Sequence, residues 1–148
     1  MARSTNTRFA VAVHVLTYLA GVLEGRTVSS EELSESTHVN AAHIRRVLGP
    51  LRGAGVVRSR PGVHGGWQLA VDAAEIGLDR VWLLLQGADP VLGLHEPAPT
   101  CVVGRAVQKT LDTLDRTVAG AVATELGHFT VRDVLNGLPA PASGPHGS

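Results

Sequence analysis

Only one of the 148 residues is a cysteine. That excludes an internal disulfide framework and an all-cysteine metal site within one chain. Aromatic residues are scarce at 3%, which leaves little material for stacking against single-stranded nucleic acid. Lysine is nearly missing as well: Lys109 stands beside twelve arginines. No apolar run reaches the ~20 residues that cross a bilayer. The longest, Phe9 to Leu23, spans fifteen residues behind Arg3 and Arg8 and so mimics a secretory signal. His14 interrupts it, and Tyr18-Leu19-Ala20 is a poor small-x-small cleavage site. The run reads instead as a first helix buried on most of its faces, in a cytoplasmic protein with no membrane partner. The chain also lacks G-x-S-x-G, the phosphate-binding G-x4-G-K-[ST] and H-E-x-x-H. No nucleophile elbow, nucleotide loop or zincin helix is encoded, and the chain is not expected to be an enzyme.

What is present fits one ordinary domain or a small domain with an appendage. The apolar fraction is 44% and the charged fraction 18%, which excludes wholesale disorder. Seventeen glycines and eight prolines argue against one uninterrupted coiled coil. Net charge is zero, but its distribution is lopsided. Residues 1–70 carry eight Arg and four acidic residues, and residues 71–148 carry five basic and nine acidic residues. Residues 37–71 hold Arg45, Arg46, Arg52, Arg58 and Arg60 and no Asp or Glu. Such a window points to an anionic partner, and arginine suits bidentate contacts to phosphate and guanine.

The pattern of elements gives that window a shape. A first helix is expected from Thr7 to Glu24, capped by Asn6 or Thr7. A second follows Ser29, where Ser29-x-x-Glu32 has the form of a capping box, and ends near Thr37. After a short connection, Asn40 caps a third helix whose Ile44, Val47, Leu48 and Leu51 form one apolar stripe. Pro50 predicts a bend or an early end to it. Val56–Arg60 and Trp67–Ala70 read as strands around a Pro-Gly loop, a β-hairpin. Helix, helix, turn, helix and hairpin in this order make a winged helix-turn-helix, whose third helix enters the major groove. The fold class is therefore mainly α with a small β-hairpin wing, plus a long C-terminal dimerisation helix. A short helix is expected over Leu78–Gln86, the long one from Cys101 or Val102 to Leu126, and a last one over Val131–Leu135. Val103, Val107, Leu111, Leu114, Val118 and Val122 recur along the long helix at steps of 4, 4, 3, 4 and 4. That is a continuous apolar seam. It is expected to face a second copy of the chain, on the first helix of its own chain, or both on different faces. The organisation reads as a DNA-binding unit over 1–87, a regulatory loop over 88–100, dimerisation and terminal helices over 101–138, and a disordered tail over 139–148.

These pieces resemble the Rrf2 family of winged helix-turn-helix transcription regulators. The resemblance rests on Ser4-x3-Arg8-Phe9-Ala10, Ile44-Arg45-Arg46-Val47-Leu48 and Leu51-x3-Gly55-Val56-Val57. It continues through Ser59-Arg60-Pro61-Gly62-x2-Gly65-Gly66-Trp67-x-Leu69 and His95-Glu96-x3-Thr100-Cys101-Val102-Val103-Gly104, the last being similar to a single-cysteine branch. The family implies homodimers on palindromic operators, joined through the long helix. Its cluster-binding members carry three cysteines about six residues apart. Here His95 and Asp89 stand six and twelve positions before Cys101. With one thiolate left, no iron–sulfur cluster and no other cofactor or metal is expected.

The candidate DNA contacts are Arg8, Asn40, Ala41, His43, Arg45, Arg46, Arg58, Arg60, His64 and Gly65. For Arg45 and Arg46 the alternative is a solvated helix face; the missing acidic neighbours favour DNA. Asn40, Ala41 and His43 occupy the first turn of the third helix, where base edges are met. The wing glycines suit both plain turn chemistry and close approach to a backbone. Trp67 is assigned to packing at the wing base. Val107, Leu111, Leu114, Val118 and Val122 are the candidate dimer interface. Cys101 keeps two readings, a buried apolar residue and a sensor thiol at a helix N-terminus. The expected function is sequence-specific binding of double-stranded DNA by a homodimeric regulator, read as a repressor, with an oxidant acting through Cys101 or a small molecule as effector. The alternative is a winged-helix module for protein–protein contacts.

Overall fold

Val11, Ala12, Val15, Leu16 and Leu19 advance by one, three, one and three, which gathers them on one face of a helix. In the computed structural model, which describes residues 7–137, that helix, α1, spans Thr7–Gly21 and buries all five. The Asn6 cap, Ser4 and the tail expected from Pro139 onward lie outside the described residues. α1 stops three residues short of the expected Glu24. The chain instead turns through Gly25 at φ +83°, with the Arg26 amide donating to the Leu23 carbonyl at 3.0 Å. That turn brings Val28 beside Trp67, where the two exchange backbone hydrogen bonds of 3.0 and 2.7 Å.

α2 (Ser30–Thr37) and α3 (Ala41–Gly53) form the helix-turn-helix. Ser29 caps α2 by accepting from the Glu32 amide at 3.0 Å. The reciprocal half of the expected capping box goes elsewhere, because the Glu32 carboxylate takes hydrogen bonds from Tyr18 and Arg26. His38 adopts the left-handed conformation that ends α2, and Asn40 Oδ1 accepts from the His43 amide at 2.8 Å to start α3. Ile44, Val47, Leu48 and Leu51 are buried, as their stripe requires. α3 runs past Pro50 to Gly53 rather than ending early. Proline removes one backbone donor, and in the last turn that loss is small.

The wing is a two-stranded antiparallel hairpin, β1 (Val57–Arg60) with β2 (Gly66–Leu69), in the register Val57 to Leu69 and Arg60 to Gly66. Gly66 sits at φ +150°, and a Cβ there would lie 2.5 Å from the Val28 carbonyl oxygen. Val28 can therefore close onto β2 only because residue 66 is glycine. Trp67 is buried as expected and donates from Nε1 to Ser30 Oγ at 3.1 Å, with the Arg52 guanidinium 5.7 Å from its ring. Ser30 and Trp67 thereby tie the helix-turn-helix to the wing.

A 3-10 turn over Ala73–Glu75 leads to α4 (Leu78–Gln86). Leu78, Val81 and Leu85 of α4 are buried. Phe9 of α1 meets Trp82 edge-on at 5.3 Å. α6 (Val131–Leu135) carries a complete capping box between Thr130 and Asp133 and packs on α1. Between them lies α5 (Val102–Leu126), the longest helix, in which no residue is buried. Its principal neighbour in its own chain is α4 rather than α1. The segment before α5 folds back along it. The Leu92 amide donates to Asp115 Oδ1 at 2.7 Å, and Pro97 sits so close to Gly104 that a Cβ there would be 2.7 Å away.

Candidate nucleic-acid interface

The stripe that buries Ile44, Val47, Leu48 and Leu51 leaves the other face of α3 in solvent, and there Arg45 and Arg46 are both exposed. Arg46 makes no hydrogen bond or ion pair among the described residues. Arg45 does: its guanidinium lies 3.1 Å from Glu31 of α2. The acid-free window in the sequence is thus not acid-free in space, because α2 supplies a carboxylate from fourteen residues away. Both groups of that pair are more than half exposed, so the pairing is weak and exchangeable. Asn40 is exposed, and Ala41 and His43 are half-buried in the first turn. Asn40 spends its side-chain oxygen on the cap, which leaves its amide nitrogen as the outward donor.

On the wing, Arg60 is exposed and unpaired among the described residues, whereas Arg58 donates from Nε to Gln68 at 3.2 Å. The His64 carbonyl accepts from Thr27 Oγ1 at 2.8 Å, and its imidazole is exposed. Gly65 is held by backbone crowding, since a Cβ there would lie 2.0 Å from the Arg60 carbonyl oxygen. Val63 at the tip is 98% exposed. Arg8 stands apart from this set. Its guanidinium pairs with Asp89 at 3.0 Å, joining α1 to the segment after α4 across 81 positions. The structure thus brings Arg46 and the α3 start together with the helix-turn-helix, and Arg60, His64 and Gly65 together on the wing. It engages Arg8 and Arg58 within the fold.

One functional candidate had no reading in the sequence. Arg26, in the α1–α2 connection, donates to Glu32 Oε1 at 2.6 Å, and the Tyr18 hydroxyl donates to the same oxygen at 2.7 Å. The Tyr18 hydroxyl, and then Arg26, hold the Glu32 carboxyl below its ordinary range. Glu32 in turn raises both Tyr18 and Arg26, since losing either proton would break a bond to the carboxylate. An arginine six residues before a glutamate carries no local signal, so spacing alone does not find this cluster.

Of the candidate interface residues on α5, Val107 and Leu114 are exposed, and Leu111, Val118 and Val122 are half-buried. Val102 and Val103 are also exposed. The seam is therefore largely uncovered within one chain. Cys101 is exposed, which overturns the buried reading. It is the N-cap of α5, its Sγ accepting from the Gly104 amide at 3.2 Å. An apolar cleft of about 600 Å³ opens between α1 and α6, lined by His14, Tyr18, Val22, Val134 and Leu135 among others.

Residues 5–137 match the family model Rrf2, described as an iron-dependent transcriptional regulator. A Bacillus subtilis protein named as an HTH-type transcriptional regulator, YwnA, is 35% identical over 134 residues, covering 90% of this chain and 98% of its own. Two crystal structures align closely. A transcriptional regulator from Lactobacillus plantarum has a TM-score of 0.71 at 26% identity and covers 87% of each chain. Staphylococcus aureus CymR has a TM-score of 0.65 at 25% identity, over 91% of this chain and all of its own. The iron in the family description does not fit the residues here. The chain offers one cysteine sulfur, which serves as a helix cap, and Asp89 is engaged by Arg8. No group of three His, Cys, Asp or Glu residues that could hold a metal occurs among the described residues.

Proposed function

The chain belongs to the Rrf2 family of transcription regulators, and from that premise we propose that it is a repressor binding a palindromic operator as a homodimer in the cytoplasm. Residues 1–87 read the DNA, 88–100 form a regulatory loop, and 101–138 pair the two copies. The observation that carries this reading is Arg46. It is exposed, and unpaired among the described residues, on the free face of a helix whose opposite face is buried, so its fork is available to guanine O6 and N7 or to phosphate. Asn40, Ala41 and His43 meet base edges at the α3 start. Arg45 joins them once Glu31 yields, and Arg60, His64 and Gly65 approach from the wing. Arg8 and Arg58 support this face through the pairs they make. Val107, Leu111, Leu114, Val118 and Val122 face the second copy.

The test is selection of bound sequences from random duplex DNA by gel shift, followed by Arg46→Ala. A bidentate base contact makes that variant lose about 1–3 kcal/mol of specific binding. A parent that selects no duplex leaves the protein–protein module as the better account, and an unchanged Arg46→Ala removes Arg46 from the interface.

We propose further that Cys101 couples an oxidant to this binding. Its thiol is exposed and caps the helix that joins the two copies, so converting it to a sulfenic acid with peroxide alters the α5 start. Cys101→Ser is a suitable probe, because serine is a preferred N-cap and keeps α5 anchored. Peroxide is expected to weaken operator binding by the parent and spare Cys101→Ser. An equal response in both transfers the sensing role to a small ligand, for which the α1–α6 cleft is an apolar site of suitable size.

A further inference from the structure

A groove of about 490 Å³ separates the α1–α2 connection from the wing tip, with Arg26 and Ser29 on one side and Arg60 and His64 on the other. We propose that this groove seats a phosphate of the operator backbone, with Arg26 and Arg60 as its two cationic walls. The inference rests on the DNA-binding reading above and adds to it Arg26, which lies outside the recognition helix and the wing.

Three observations carry it. The two walls are fixed relative to each other before any ligand arrives. Thr27 Oγ1 donates to the His64 carbonyl at 2.8 Å, and one residue on, Val28 and Trp67 exchange backbone hydrogen bonds of 3.0 and 2.7 Å. A site built this way needs no reorganisation on binding. Arg26 is also held in place, by Glu32 at 2.6 Å, while its side chain stays 46% exposed. Glu32 occupies one of several guanidinium donors and leaves the others for a second acceptor. Among the described residues Glu32 is the one acidic residue lining the groove, and it offsets one of the two arginine charges, so the groove stays net positive. Arg60, unpaired among the described residues, meets no second carboxylate there. The positive end of α2 opens on the same groove at its Ser29 cap, and amide ends of this kind attract phosphate. In a helix-turn-helix the first of the two helices crosses the backbone, which is the position α2 holds. The groove is broad and open to solvent, a shape suited to a strand that passes through it rather than to an enclosed small molecule.

The experiment measures binding of the full chain to its selected duplex over a range of salt concentrations. Each phosphate contact contributes about 0.9 to the slope of log K against log salt. Arg26→Ala and Arg60→Ala are each expected to reduce the slope, and the double variant to lose about 0.9, the share of the one phosphate seated between them. Arg26→Lys should keep the parent slope, since the charge remains. Thermal melting of each variant runs alongside. Should Arg26→Ala lower the melting temperature, Arg26→Gln keeps a hydrogen bond to Glu32 and carries the same test. A parent with a steep slope and an Arg26 variant with the same slope overturns the phosphate seat and leaves the DNA reading standing. A parent that binds no duplex at any salt concentration overturns both.

Discussion

Leu114 is 48% exposed, on a helix with no fully buried residue. Fully burying a leucine side chain is worth about 1.5–3 kcal/mol. Covering the exposed half of Leu114 is therefore worth about 0.7–1.5 kcal/mol per protomer. In a two-fold dimer the same patch occurs on both copies, so the pair contributes about 1.5–3 kcal/mol to association. Leu114→Ala removes most of that area and should weaken the dimer by roughly 10- to 150-fold in Kd. The residue lies outside the core, so the protomer fold should be unaffected. Sedimentation equilibrium through the micromolar range measures the dimer, and far-ultraviolet circular dichroism checks the helices. Arg116→Ala, off the seam on the same helix, serves as the control and should dimerise like the parent. A parent that sediments as a monomer throughout, or a Leu114→Ala variant that dimerises as the parent does, refutes the assignment of this seam to a second copy.

Two further substitutions test the scaffold beneath the interface. Gly66→Ala places a Cβ 2.5 Å from the Val28 carbonyl oxygen at a φ that side chains rarely adopt, and forces the Val28–Trp67 pair apart. Two net backbone hydrogen bonds and the backbone strain amount to about 2–4 kcal/mol, to be read as a lowered urea midpoint with unchanged m-value; an unchanged midpoint would show that the Val28–Trp67 pair does not need glycine. Glu32→Gln tests the Tyr18–Glu32–Arg26 cluster through pH. The Glu32 carboxyl is held below its ordinary value of 4.5 in the folded chain. Its stabilisation is therefore full above that value and disappears as pH falls through the lower folded one. Urea titrations should show the variant less stable than the parent at neutral pH, with the gap closing in acid. A gap that stays constant with pH would mean that the charge of Glu32 has no part in it.

Helix boundaries set by local chemistry were legible in the sequence. Asn40 caps α3, Thr130 caps α6, and the buried stripe of α3 lies where its spacing puts it. These depend on groups within about one helical turn. What the sequence obscured depends on distance along the chain. Arg45 meets Glu31 from fourteen positions away, and Arg8 meets Asp89 from 81. A count of charges along a window sees neither pair. The end of α1 was missed for a related reason: its last turn gives way to the bend that delivers Val28 to Trp67, a contact 39 residues long. Glu32 misled because the Ser-x-x-Glu spacing predicts a local bond, whereas Tyr18 and Arg26 offer the carboxylate two shorter ones.

The chain lying along α5 has a mechanical consequence. It is fastened near residue 115 through the Leu92 amide and near residue 104 through Pro97. Eleven helical residues span about 16 Å, and five residues of extended chain reach at most about 17–18 Å. The segment from 92 to 97 thus lies alongside about three turns of the helix and touches it at both ends. If the helix between its two fastenings unwound, residues 104 and 115 would lose the fixed spacing of about 16 Å that these two contacts span. Fraying past Gly104 lifts it from Pro97, and fraying past Asp115 releases the Leu92 amide. A solvent-exposed helix of this kind would ordinarily open one turn at a time from its end. Here the turns between residues 104 and 115 are expected to open together with the loss of those two contacts.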